Sequence, residues 1–324
     1  MITKRAYLIK PGEFEIREID LTPASDEVLI KVALCGLCNW ELNFWQPGGE
    51  GMFSEYPSVL GHEWCGEIVE VGCDVKTLKV GDKVTACDFG GFGQYNVVKE
   101  TSCKKLSADT KYINAMGEPI KCISTVLTGI NPKFGDVAVV LGCGAMGLWC
   151  TQCISGGFLS QIIAIDIDDK KLELAKKCGA THTINSLKEN AVEKIREITG
   201  GYMADFVIEG TGVPAVLNQA SGYLKDKGRV IIMSSHEKAV NEFNFSPIFY
   251  GGISILGAGP NLSADPDEDL RRAVMLINSG IINNEYIISH RFSLDNINEA
   301  FRTLEHKPKD YIKGIVVCNP DMLK

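Results

Sequence analysis

Cys35 and Cys38 stand three apart in the stretch KVALCGLCNWELNFW, His62 and Glu63 adjoin in LGHEW, and Glu118 lies in MGEPI. Thiolate, imidazole and carboxylate together are the donors that bind zinc and similar transition metals. A C-x-x-C pair ordinarily forms half of a structural zinc site, which needs two more cysteines or histidines at similar spacing, and the sequence offers no such partner pair. A catalytic zinc is held by few protein ligands of mixed type, with one position left for water or substrate. Cys38, His62, Glu63 and Glu118 are the candidate ligands. Taken singly, each has a plain structural alternative: a buried thiol, a hydrogen-bonded core histidine, a turn or surface carboxylate.

A second constellation lies downstream. GCGAMG at 142–147 has the G-x-G-x-x-G pattern, which is weak alone and strong in its setting. It follows the apolar run VAVVL, opens a helix, and is followed nineteen residues after Gly147 by Asp166, at the end of IIAID. Gly142 permits a tight turn, Gly144 lets backbone approach a pyrophosphate, and Gly147 lets helix pack on strand, while the helix N-terminus supplies N–H groups and positive potential. Ala145 and Met146 within the turn and Lys171 beyond Asp166 are counted with the cofactor-binding residues. Asp166 can accept hydrogen bonds from the adenosine ribose hydroxyls and would repel a 2′-phosphate, so NAD is expected over NADP.

These groups need a scaffold. Residues 1 to about 120 alternate in short strands broken by glycine, as in VLIKVAL, GEIVEVG, GDKVTAC and GQYNVVK, and predict a β-rich, partly barrel-like domain. MITKRAYLIKPGEFEIREID reads as a strand pair around Pro11 and Gly12, without the apolar core and cleavage site of a secretory signal. From about 125 to 260 the rhythm becomes strand, glycine turn, helix, strand, which predicts a parallel sheet buried on both faces. The tail then offers two helices and two strands that return to the first domain. The expected division is 1–123 with 261–324, and 124–260.

Composition narrows the function classes. With 41 acidic against 33 basic residues the formal charge is −8, and a net-negative surface repels phosphate backbones and anionic lipid, so nucleic acid is not an expected partner. No apolar run approaches the roughly eighteen residues of a membrane span, so no membrane partner is expected. Twelve cysteines spread over 324 residues without a signal sequence fit a reducing cytoplasm better than a disulfide framework. Cys150 and Cys153 of LWCTQC fall on a predicted helix and read as packing.

The motifs GLCNWEL, YPSVLGHEWCGEIVEVG, VGDKV, GEPI, VVLGCGAMG, IIAIDI, DEDLRRAVMLINSG, ISHRFSLDNINEAF and YIKGIVV occur in that order along nearly the full chain. The ordered series resembles the zinc-dependent medium-chain dehydrogenases, most closely the polyol and threonine dehydrogenase branch. That resemblance implies a GroES-like β-rich catalytic domain and a Rossmann, doubly wound, NAD-binding domain. It also implies one catalytic zinc, with Cys38 rather than Cys35 as the metal cysteine, His62 as the histidine ligand, Glu63 as a ligand or neighbour of the metal, Glu118 as the carboxylate ligand of this branch, and Glu41 as the residue that orients His62. Adjacent residues on a regular strand face opposite ways, so His62 and Glu63 can both ligate only where the backbone is irregular.

Two departures from that pattern stand out. Only TACDFGGFGQY intervenes where most zinc members carry a lobe with four close cysteines, so the structural zinc is expected to be absent and one metal per chain is expected. The family's usual serine or threonine two residues after the metal cysteine, and the histidine often found three further on, are replaced by Trp40 and Asn43. Indole donates a hydrogen bond but does not relay a proton at neutral pH, so water with Glu63 is the expected substitute. Trp40, with Phe44 or Trp45, is also a candidate substrate-pocket wall; the alternative is that all three pack beneath the loop. The expected activity is reversible NAD-dependent oxidation of a secondary alcohol, on a polyol, sugar or similar polar metabolite, at a cleft between the domains. The alternatives are a reductase of a bulky hydrophobic ketone and a non-catalytic NAD- and zinc-binding subunit. A homodimer or homotetramer joined along YGGISILGAG is implied by the resemblance.

Overall fold

The computed structural model describes residues 1–48, 55–236, 239 and 243–323. Its contacts divide the chain into two compact units, Met1–Lys121 with Leu270–Lys324, and Cys122–Asp269.

The chain opens as an antiparallel hairpin of β1 (Ile2–Lys10) and β2 (Glu13–Asp20), turned at Pro11 and Gly12, where Gly12 takes a φ of +74°. β3 (Glu27–Gly36) is apolar on both faces and lies in the middle of its sheet, which is why VLIKVAL reads as nearly continuous hydrophobicity. A 3₁₀ turn at Asn39–Glu41 runs into the short α1 (Leu42–Trp45). β4 (Trp64–Val71), β5 (Lys83–Ala86), β6 (Tyr95–Lys99) and β7 (Lys104–Lys105) follow.

α2 (Gly117–Ile130) leads to six parallel strands: β8 (Val137–Leu141), β9 (Gln161–Asp166), β10 (His182–Asn185), β11 (Ala204–Glu209), β12 (Leu224–Ile232) and β13 (Ser254–Gly257). The helices between them are α3 (Ala145–Ile154), α4 (Asp169–Lys177), α5 (Ala191–Ile198), α6 (Pro214–Ala220) and α7 (Ser246–Gly251). The order β10-β9-β8-β11-β12-β13 reverses direction at β8, and the C-terminal ends of β8 and β11 flank the crevice where doubly wound sheets bind ligands. Val139, Ile163, Val207 and Val230 line the core beneath it. Cys150 on α3 is buried with Sγ 3.6 Å from Met233 Sδ, a packing contact.

The chain then forms α8 (Pro266–Asn278), β14 (Ile288–Ser293), α9 (Ile297–His306) and β15 (Lys313–Val317). β15 pairs with β3, completing a sheet of order β14-β15-β3-β4-β5-β7 with β6 also on β3. The fold is the GroES-like sheet and the Rossmann sheet that the motifs predict. Leu8, Phe14, Trp64, Phe92 and Phe301 form the centre of the first unit, and return of the tail is what places Lys313 beside residues from the first third of the chain.

Candidate metal and cofactor sites

β3 ends at Gly36; Cys38 caps the 3₁₀ turn that follows, and Glu41 closes that turn with its N–H donated to Cys38 O at 3.1 Å. The backbone before β4 is irregular, with Gly61 at a φ of +90° in a space where a Cβ would meet the amide nitrogen of Phe92 at 2.7 Å. That irregularity lets adjacent His62 and Glu63 turn to the same place. Ligand atoms of Cys38, His62 and Glu63 all lie within 4.8 Å of one another.

Glu41 is fully buried and its Oε1 accepts hydrogen bonds from Gly61 N at 2.7 Å and from His62 Nδ1 at 3.0 Å. With Nδ1 so engaged, Nε2 is the nitrogen left for a metal, and the carboxylate fixes both tautomer and ring orientation. Burial opposes charge on His62, but hydrogen bonds to Cys38 and Glu41 prevail and push its pKa up to about 12. Burial and then the Glu63 charge push the Cys38 thiol up to about 11, against the pull of His62 and Lys313. Such a set holds protons when metal-free and exchanges them for a cation. Thiolate, imidazole and carboxylate at this separation fit a divalent zinc ion.

Lys313 was not anticipated. It arrives on β15, is buried, and pairs with the Glu63 carboxylate. Burial opposes its charge, yet Glu63 and then Cys38 raise its pKa above the ordinary lysine value. Gly36 makes room for this arrangement, since a Cβ there would collide with the Glu63 carboxylate. Glu118, expected as a further ligand, is not in the gathered group: it sits half-buried in the first turn of α2, where helix N–H groups favour a negative charge, and its charge is felt by Cys87. Asn43 lies half-buried on α1. Trp40 is at the surface and packs edge-on against His62, with ring centroids 5.7 Å apart. Phe44 joins it at 4.9 Å, whereas Trp45, one helical step on, turns into the core against Phe14 and donates Nε1–H to Glu305.

In the second unit, Gly142 takes a φ of +88°, and a Cβ on Gly147 would collide with the Gly142 carbonyl oxygen. Gly144, the residue capping α3, faces open space where a pyrophosphate would approach, with Ala145, Met146 and Gly147 forming the first turn beyond it. The site fits a dinucleotide. Asp166 accepts from Cys143 N at 2.7 Å, Ile167 N at 2.7 Å and Asp168 N at 3.0 Å, tying the end of β9 to the glycine turn with acceptor capacity remaining on the carboxylate. Lys171 is half-buried on α4. Glu209, buried at the end of β11, organises the opposite wall by accepting from Thr211 N at 2.7 Å and from His236 Nε2 at 2.7 Å.

The pattern described as alcohol dehydrogenase GroES-like domain matches residues 24–108, and that described as zinc-binding dehydrogenase matches 145–278. L-Threonine 3-dehydrogenase of Bacillus licheniformis is 30% identical, over 93% of this chain and 95% of its own. The chain belongs to the zinc-dependent medium-chain dehydrogenases, polyol branch. It is an oxidoreductase of that family, whose cofactors are zinc and a nicotinamide dinucleotide. D-Arabitol-phosphate dehydrogenase of Enterococcus avium is 28% identical over 96% of both chains. The crystal structure of 2R,3R-butanediol dehydrogenase from Bacillus subtilis superposes with a TM-score of 0.85 at 25% identity, over 98% of this chain and 100% of that one. Among the described residues, no helix is long and apolar enough to cross a membrane.

The buried Glu63–Lys313 pair is testable without catalysis. Removing one partner strands a buried charge, so Glu63→Gln or Lys313→Met alone is expected to cost about 3 kcal/mol of stability, and the double variant to recover most of it. Urea unfolding of the four proteins of the cycle measures this; additive losses would show that the two side chains do not depend on each other.

Proposed function

We propose that the protein oxidises a secondary alcohol of a polyol, sugar or similar polar metabolite to the ketone, reversibly, with one zinc per chain and NAD as hydride acceptor. The observation that carries this reading is the Cys38–His62 donor pair with His62 locked by buried Glu41, on a chain that also carries the open Gly144 turn. Zinc bound there would supply a Lewis acid for the alcohol oxygen, with NAD as the hydride acceptor. Cys38 and His62 would hold the ion, and Glu41 holds His62. Glu63 stands beside both, and its charge is balanced by Lys313. Trp40 cannot pass the alcohol proton as a hydroxyl would, which leaves water and the Glu63 carboxylate as the acceptors at hand. Asp166 favours the unphosphorylated ribose. The catalytic domain is proposed as 1–123 with 261–324, and the cofactor domain as 124–260. Twelve cysteines spread over the chain support a reducing, cytoplasmic setting.

Three measurements check this reading. Metal analysis of the purified chain is expected to give one zinc per chain, falling to background in Cys38→Ser, and a polyol with NAD to produce NADH at least about tenfold faster than NADPH from NADP. Two tightly held zincs per chain, or no reduced cofactor with any polyol, sugar, amino alcohol or cyclic alcohol, would contradict it. The third concerns association. β13 is the exposed outer strand of its sheet, with Phe249 and Tyr250 of α7 also exposed, and an apolar outer strand is a pairing surface. A homodimer, alone or paired into a tetramer, is proposed through it. Sedimentation equilibrium is expected to give at least a dimer and Ile255→Lys a monomer; a monomeric wild type would remove this part.

A further inference from the structure

The two departures from the family pattern lie forty-nine residues apart in sequence, and they meet in space. Trp40 replaces the expected hydroxyl residue, and Phe89 belongs to the short DFGGFG segment that stands where the cysteine-rich lobe is missing. Their rings stack, with centroids 6.2 Å apart and planes 20° from parallel. Both sit edge-on to the His62 imidazole, at 5.7 Å for Trp40 and 5.8 Å for Phe89. Phe44 backs the pair at 4.9 and 6.5 Å, and is itself buried. Trp40 and Phe89 each remain 44% exposed.

The Phe89 segment is pinned rather than loose. Trp64 Nε1–H donates to Asp88 O at 2.6 Å, Asn96 Nδ2–H to Phe89 O at 2.9 Å, and Gly90 and Gly91 donate their N–H groups to Leu60 O and Gly61 O, beside His62. Gly90 takes a φ of +108°, and a Cβ there would collide with the Asn96 amide. The stacked pair is thus held in a set orientation beside His62.

We propose that Trp40 and Phe89 form a substrate platform that selects a secondary alcohol carried on a polar six-membered ring, a cyclitol or pyranose-type sugar, over an open-chain polyol. This deepens the dehydrogenase reading and rests on it. A chair-shaped ring directs hydroxyls outward and presents axial C–H groups on its faces, so it can lay an apolar face on the exposed part of the indole–phenyl pair while its hydroxyls stay at the rim. An open-chain polyol carries hydroxyls along its whole length, and must bury some against the aromatic faces without partners. It also loses several internal rotations on binding, a cost the rigid ring avoids.

The test compares kcat/KM, with NAD, for a ring panel of myo-inositol, its stereoisomers and methyl xylopyranoside against sorbitol and xylitol. The best ring is expected to exceed the best open-chain polyol by at least about tenfold in the zinc-loaded wild type. Trp40→Leu and Phe89→Leu are each expected to bring that ratio below about twofold, through a rise in KM for the ring with zinc content unchanged. Quenching of tryptophan fluorescence by the best ring alcohol, lost in Trp40→Leu, reports the contact directly without turnover. An active enzyme that prefers sorbitol or cyclohexanol, or a ring preference surviving both substitutions, overturns the platform and leaves the dehydrogenase reading standing. Absence of NADH formation with every alcohol overturns both.

Discussion

Oxygen Oε1 of Glu41, out of reach of water, holds the backbone of Gly61 and the ring of His62 at once. A carboxylate is costly to bury, and this one is compensated by the two donors that fix the histidine. Cys38 caps the 3₁₀ turn that Glu41 closes, so one short stretch of backbone places both the thiol and the carboxylate that orients His62. The remaining groups fit around that anchor: the left-handed Gly61 aims His62 and Glu63 together, and Gly36 leaves space for the Glu63 carboxylate. Reach alone does not bring a metal site into being; the geometry of its outer contacts does.

Charge follows from the same packing. Glu41, Glu63 and, once deprotonated, Cys38 are negative groups sunk in a poorly polarisable interior, with Lys313 the buried ammonium opposite them. Protons occupy the thiol and imidazole when nothing else does, and a dication that displaced those two protons would leave the net charge of the cluster unchanged. By engaging Glu63, Lys313 would limit how much negative charge an ion held at Cys38 and His62 meets. The aromatic side of the site complements this, since Trp40 and Phe89 bring apolar surface where a hydroxyl relay would have brought water.

How much of this the sequence disclosed depends on the range over which each contact is formed. The glycine turn and Asp166 were readable because strand, turn and helix are contiguous and each glycine has a local steric duty. Cys38, His62, Glu63 and Glu41 were readable through ordered motifs, and their gathering needed the irregular backbone that Gly61 supplies. Lys313 was not readable: it lies 251 residues beyond His62 and reaches the site only through pairing of β15 with β3, which no local periodicity encodes. Phe89 was hidden for the same reason, since its place is set by hydrogen bonds to Leu60, Trp64 and Asn96 rather than by its neighbours. Phe44 and Trp45 were equivalent as aromatic letters, and helical rotation separates them, one to Trp40 and one to the core. Glu118, which the resemblance offers as a ligand, lies in the first turn of α2, outside the group that Cys38, His62 and Glu63 form.

The central claim is that Cys38 and Glu41-oriented His62 grip one divalent ion together. Titrating the metal-free protein with Co(II) tests it directly, because thiolate and imidazole in a four-coordinate site give an intense visible spectrum with a sulfur-to-metal charge-transfer band. The account predicts saturation at one cobalt per chain, loss of the charge-transfer band in Cys38→Ser, and weaker binding by at least about tenfold in Glu41→Ala. A weak, six-coordinate spectrum without sulfur character, or an affinity indifferent to Glu41, would contradict it.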